Sequence, residues 1–226
     1  MSIWGKITGV AVGLLDAIGQ LFAEPEGDAN VAFTIAMIAL SAKMAKADGI
    51  VTDDEVETFE RLFRVPPEER ANVRRVFDMA RRDTAGFETY AARIARLFAG
   101  NPALLEDILD GLFEIAKADG VLHPGEQAFL ERVAEIFGFA PNEFRRIRAS
   151  HFAPDAADPY VVLGLAYDAS DDELRKTYRR LVKENHPDSL MGRGVPPEFV
   201  RLATEKLAAI NVAYGRIEAE RGLKAS

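Results

Sequence analysis

Ser170–Asp188 reads SDDELRKTYRRLVKENHPD. Ser170 followed by Glu173 is a capping box, in which hydroxyl and carboxylate each take up a backbone N–H that the first helical turn leaves without a partner. Leu174, Tyr178, Leu181 and Val182 then share one face at helical spacing, and Arg175, Lys176, Arg179, Arg180 and Lys183 occupy the opposite side. The helix is expected to stop at Asn185, because a residue before proline, here His186, is pushed out of helical geometry. A polar loop over residues 186–197 leads to a second helix, with Phe199, Leu202, Ala203, Ile210, Ala213 and Tyr214 on one stripe. Pro159–Leu165 is a short apolar helix or turn ahead of both. Residues 158–226 therefore read as a module built on two antiparallel helices with a loop at the tip. Residues 151–157 (HFAPDAA) read as its linker.

Working outward, residues 30–150 read as a second, larger helical domain. Residues 31–47 are apolar almost all round, the pattern of a buried central helix. Further helices are expected over about 53–64, 67–81, 87–98, 102–118, 124–137 and 141–149. Asn101-Pro102 places a capping residue before a proline at the first helical position. No stretch alternates apolar and polar residues long enough for a sheet, so the whole chain is expected to be all-α.

This domain contains an internal repeat. Ala45-Lys46-Ala47-Asp48-Gly49 recurs as Ala116-Lys117-Ala118-Asp119-Gly120, with Glu55 matching Glu126 and Glu60-Arg61 matching Glu131-Arg132 at one offset. Each copy is a helix, an Asp-Gly corner and a second helix. The two pairs are expected to pack about a pseudo-twofold axis into one bundle. The Asp…Glu spacing is that of the second half of a calcium-binding loop, but Met44 and Lys46, and Ile115 and Lys117, stand where the first ligands belong. Two readings remain. In one, Gly49 and Gly120 end helices in the left-handed conformation, Thr52 and Glu55 form a capping box, and Pro124 opens a helix ahead of Glu126. In the other, Asp48, Glu55, Asp119 and Glu126 form a shared divalent-metal site.

Composition limits the function. The net charge of −8 argues against bulk attraction to nucleic acid, and the absence of cysteine excludes disulfides, thiolate metal sites and a cysteine nucleophile. No P-loop, dinucleotide-binding glycine pattern or His/carboxylate cluster with catalytic spacing is present, so the protein is not expected to be an enzyme. Residues 1–29 read as an amphipathic helix, from about Ile3 to Phe22, and a linker. Asp16 and Gln20 break the apolar run well before the ~20 residues a membrane span needs. Gly5, Gly9 and Gly13 recur every fourth residue, the spacing of a close helix–helix contact. This helix can cap the domain behind it, touch a membrane surface peripherally or self-associate. The expected location is the cytoplasm, with peripheral contact to the inner membrane as the variant.

Residues 30–150, through their doubled Lys-Ala-Asp-Gly corner, resemble the tellurite-resistance TerB-like domain. That resemblance implies an all-helical fold and makes the acidic corner residues candidate metal ligands. Residues 158–221 resemble a DnaJ (J) domain. Tyr160-x-x-Leu163-Gly164, Leu174-x-x-x-Tyr178-Arg179-x-Leu181, His186-Pro187-Asp188 and Ile210-Asn211-x-Ala213-Tyr214 carry it. J domains stimulate ATP hydrolysis by DnaK-type chaperones. The resemblance implies that His186, Pro187 and Asp188 contact that partner, with Arg175, Lys176, Arg179, Arg180 and Lys183 as an electrostatic face. The longer run from His186 to Glu198, and the opening Trp4-Gly5-Lys6-Ile7, resemble the DjlA branch of J proteins, whose members carry an N-terminal membrane helix ahead of these two domains. Two departures stand out: the shortened apolar run, and Ser189 where many J proteins carry lysine.

The expected function is thus that of a co-chaperone, its TerB-like domain serving as a targeting, sensing or regulatory module. The competing expectations are a divalent-metal-responsive stress protein in which the J domain is secondary, and a purely structural adaptor.

Overall fold

The computed structural model describes residues 29–47, 53–82, 86–117, 120–152, 158–193, 195 and 200–223. Among them every regular element is helical. The expected helix over residues 3–22 and the corner residues Asp48, Gly49, Thr52 and Asp119 lie outside the described residues, as does Glu55's side chain.

A long apolar stretch forms α1 (Ala29–Ala47). From Ala32 to Ala45 all its described side chains are buried, including Phe33, Met37, Leu40 and Met44. Burying each such side chain contributes about 1.5–3 kcal/mol, so this helix is a main source of the domain's stability. Lys43 is buried as well, its ammonium 4.9 Å from the centre of the Tyr90 ring. Around α1 lie α2 (Asp53–Leu62), α3 (Arg70–Arg82), α4 (Phe87–Leu97), α5 (Pro102–Ala116), α6 (Pro124–Phe137) and α7 (Pro141–His151). A single 3-10 turn, Pro67–Glu69, opens α3, where one continuous helix over 67–81 is expected from sequence. The two copies of the repeat pack against each other, α1 contacting α5 and α6, and α2 contacting α5. Asn101 accepts the Leu104 N–H at 3.3 Å and starts α5, as its sequence implies. Gly120 has φ +86°, the left-handed value its corner requires.

His151, expected to open the linker, is instead the last residue of α7. After residues 153–157 come α8 (Pro159–Leu163), α9 (Asp171–Glu184), α10 (Pro187–Gly192) and α11 (Val200–Glu220). Asp171 meets Arg221, and Tyr178 meets Asn211 and Tyr214, so α9 and α11 run antiparallel. Their core is Leu174, Leu181, Ile210, Ala213 and Ile217 with Tyr160, Val162 and Leu163 of α8. Arg221 ties the base of this hairpin together. It donates to the Tyr160 hydroxyl, to the carbonyls of Tyr167 and Ala169, and to Asp171.

The two halves are not beads on a string. Leu190, Val195, Leu202 and Ala203 of the C-terminal module belong to the same buried cluster as α1 and α5. Gly164 turns at φ +69° beneath Arg146 of α7. A Cβ there would lie 2.9 Å from the Arg146 Cδ, a close approach that glycine alone permits.

Candidate chaperone-docking site

The site is built from the end of α9. Ser170 and Glu173 close the expected capping box, with Ser170 N–H to Glu173 Oε2 at 2.9 Å and Glu173 N–H to Ser170 Oγ at 3.2 Å. With its start fixed, the register of α9 is fixed. Leu174 and Leu181 turn inward, while Lys176, Arg179, Arg180 and Lys183 lie exposed and Arg175 half-exposed. Arg180 pairs with Glu184 at 2.7 Å and Arg175 approaches Asp172 at 3.8 Å. Among the described residues Lys176, Arg179 and Lys183 make no ion pair. The five basic residues therefore form the expected continuous face, with most of its charge uncompensated.

At the far end of α9, Asn185 is buried and its side-chain amide donates to the Leu181 carbonyl at 2.8 Å, closing the helix. His186 follows in extended geometry, and its Nδ1 accepts the Asp188 N–H at 3.3 Å. Pro187 then opens α10, where its fixed φ suits a first helical position. A wholly irregular loop over 186–197 is thus corrected: its first half is a short helix. The physical reason lies in Leu190 and Val195, which bury into the core shared with the larger domain and pin the backbone between them; the Val195 N–H donates to the Leu190 carbonyl at 3.1 Å. The side chains of His186 and Asp188 point the other way, 52% and 82% exposed. A pre-oriented pair of polar groups on a rigid, exposed tip is suited to docking, since little conformational freedom remains to be lost on binding.

Of the four carboxylates proposed for a shared metal site, only the Glu126 side chain is described. It is buried, and its Oε2 accepts the His123 N–H at 2.9 Å, which caps the start of α6. Among the described residues no group of three or more histidine, aspartate or glutamate side chains is arranged to hold a metal ion.

Residues 34–149 match the family described as tellurite resistance protein TerB, and residues 158–220 match the DnaJ domain. A Vibrio cholerae protein named Co-chaperone protein DjlA is 31% identical, over 80% of this chain and 75% of its own. The chain belongs to the DjlA family of co-chaperones. A DjlA from Photobacterium profundum is 29% identical over 85% of this chain and 79% of the relative. One from Shewanella oneidensis is 24% identical over 99% and 100%. No solved structure matches the chain.

In this DjlA-family chain the structure adds residues that the sequence did not single out. Glu106, Asp107, Asp110 and Glu114 line one side of α5 and meet five basic side chains, one of them Lys117 beside Glu114. Arg146 grips Glu106 in a two-pronged contact at 2.9 and 2.5 Å. Lys206 of α11 binds both Glu106 and Asp110, the latter at 2.6 Å. His151 bridges Asp110 at 2.8 Å and Glu114 at 3.1 Å. Arg193, just past α10, meets Asp107 at 2.8 Å. Burial pushes the Glu106 carboxyl up, but Lys206 and Arg146 overcome it and hold it well below the usual carboxylate range. At Asp107 burial wins, and its pKa is pushed up to about 7 despite Arg193. Burial works against the charged form of His151, yet its hydrogen bonds to Asp110 and Glu114 raise its pKa on balance. The cluster seals the joint between the two domains directly behind the exposed His-Pro-Asp tip.

Proposed function

We propose that this chain docks on a DnaK-type chaperone through His186, Pro187 and Asp188, with Arg175, Lys176, Arg179, Arg180 and Lys183 steering it to an acidic surface, and so stimulates that partner's ATPase. The observation that carries the assignment is the opposed orientation on one short segment. Leu190 and Val195 anchor inward, while His186 and Asp188 face solvent and serve no part of the core. Asp188, exposed and 3.7 Å from the His186 ring, can accept a charge-assisted hydrogen bond from a partner arginine. The hydrolysis is the partner's, and the chain acts as its regulator. The TerB-like domain is the targeting, sensing or regulatory half.

Among the described residues no helix is long and apolar enough to cross a membrane. Cytoplasmic action, with the N-terminal segment touching the inner membrane or a second copy of the chain, is part of the same proposal. Carbonate extraction of host membranes tests the membrane part: release of the protein supports peripheral contact, and retention until detergent is added contradicts it. The functional reading itself is tested by steady-state ATP hydrolysis of the host's DnaK-type chaperone with and without this protein. Saturable stimulation supports it, and an unchanged rate contradicts it.

A further inference from the structure

Arg193 makes three contacts that no other side chain could combine. Its Nε and Nη2 meet Asp107 Oδ2 at 3.3 and 2.8 Å, and its Nη1 donates to the Glu184 carbonyl at 2.9 Å. Glu184 is the last residue of α9, where carbonyls lack partners within the helix. The guanidinium therefore joins the residue two before His186 to the residue just beyond α10, closing residues 184–193 into a loop. Asp107, on α5 of the TerB-like domain, holds that clasp from the other side, and both side chains are largely withdrawn from solvent, 16% and 8% exposed. Leu190 reaches the shared core from within the same loop.

We propose that Arg193 and Asp107 are a positioning pair for the His-Pro-Asp tip, so that the TerB-like domain presets the conformation in which the J domain meets its chaperone. The inference rests on the reading of that tip as the docking element. Neither residue touches the chaperone in this account. Both act by removing the freedom of residues 186–192 before binding, which lowers the ordering cost of docking. Planar geometry matters: a lysine at 193 keeps the charge opposite Asp107 but cannot span Asp107 and the Glu184 carbonyl with a rigid fork.

The test compares full-length protein with its Arg193→Lys, Arg193→Ala and Asp107→Asn variants. Amide hydrogen exchange of residues 186–192 is measured in the free protein, and chaperone ATPase is titrated with each variant. At pH 8, where Asp107 is ionised, exchange is expected to rise at least about tenfold in Arg193→Ala and Asp107→Asn and by less in Arg193→Lys, with α9 and α1 still protected. The concentration for half-maximal stimulation is expected to rise about five- to tenfold at unchanged maximal stimulation. A merely structural role would instead lower the maximum or loosen the whole fold. Unaltered exchange at 186–192 in folded variants overturns the proposal, as does raised exchange with unchanged half-maximal concentration. Failure of the unmodified protein to stimulate the chaperone would count against the docking assignment, while exchange would still report on the clasp.

Discussion

Lys206 of α11 places its ammonium 2.6 Å from Asp110 of α5, with only 6% and 8% of the two side chains exposed, and this contact bonds the J domain to the TerB-like domain. Glu106 shares the same ammonium, and Arg146 and His151 complete the charge balance behind it. A buried ion pair adds little over a well-packed apolar pair, but removing one member strands the other.

Lys206→Met is accordingly expected to lower unfolding stability by about 3–5 kcal/mol, because Asp110 and Glu106 lose their shared cation in a buried site. Urea unfolding followed by circular dichroism reads this directly. A loss below about 1 kcal/mol would show that the two domains are not held by this cluster.

The cluster also sets a pH dependence. Glu106 and Glu114 titrate below their ordinary range in the folded chain, so their contribution is present above about pH 4.5 and lost as pH falls through the folded values. His151 is raised, so its contribution is present below about 6.5 and lost as pH rises through the folded value. Asp107 keeps its proton up to about 7 when folded, while the unfolded chain releases it near 3.8, so its effect on stability declines as pH rises across that interval. The joint is therefore expected to be more stable at pH 5.5 than at pH 8. Asp107→Asn and His151→Gln should each shrink that difference in thermal midpoint; a difference that neither variant alters would contradict the assignment.

Glu126→Ala separates the cap from the metal site. As a cap, its carboxylate supports the start of α6, and its loss should cost about 1 kcal/mol, equally in chelator and in millimolar calcium or magnesium. A loss seen only when the metal is present, through linkage to binding, would establish a metal site instead.

Much of this was legible in the chain. The caps at Asn101 and Ser170 and the left-handed turn at Gly120 form as their local chemistry implies, because such features depend on residues within a few positions. The J-domain tip was named by the resemblance of its His-Pro-Asp motif to the J-domain family, and the structure adds that His186 and Asp188 are exposed. The inter-domain cluster was not legible. Glu106, Asp107, Asp110 and Glu114 recur at three- and four-residue spacing in a helix otherwise rich in leucine, isoleucine and phenylalanine, and that was the available signal. An acidic stripe of this kind usually faces water; only the docking of Arg193 and Lys206, about a hundred residues away in the chain for Lys206, shows that it does not. The short helix after His186 was hidden likewise, since Leu190 and Val195 gain their partners from the other domain.

Arg179→Ala and Lys183→Ala are expected to slow association with the chaperone several-fold at low salt and to flatten its dependence on ionic strength, leaving the dissociation rate nearly unchanged, as steering charges do. Stopped-flow binding at two salt concentrations checks this. An effect confined to dissociation would place these residues inside the contact itself.

The central claim is tested most directly by titrating the host's DnaK-type ATPase with Asp188→Asn beside the unmodified protein, with circular dichroism confirming the fold of both. Asp188 is exposed at the tip, so its replacement should change stability by less than about 0.5 kcal/mol. Loss of a charge-assisted contact of about 1.5–3 kcal/mol should weaken docking roughly ten- to hundredfold and remove most stimulation at concentrations where the unmodified protein saturates. Full stimulation by the folded Asp188→Asn protein at those concentrations would contradict the account.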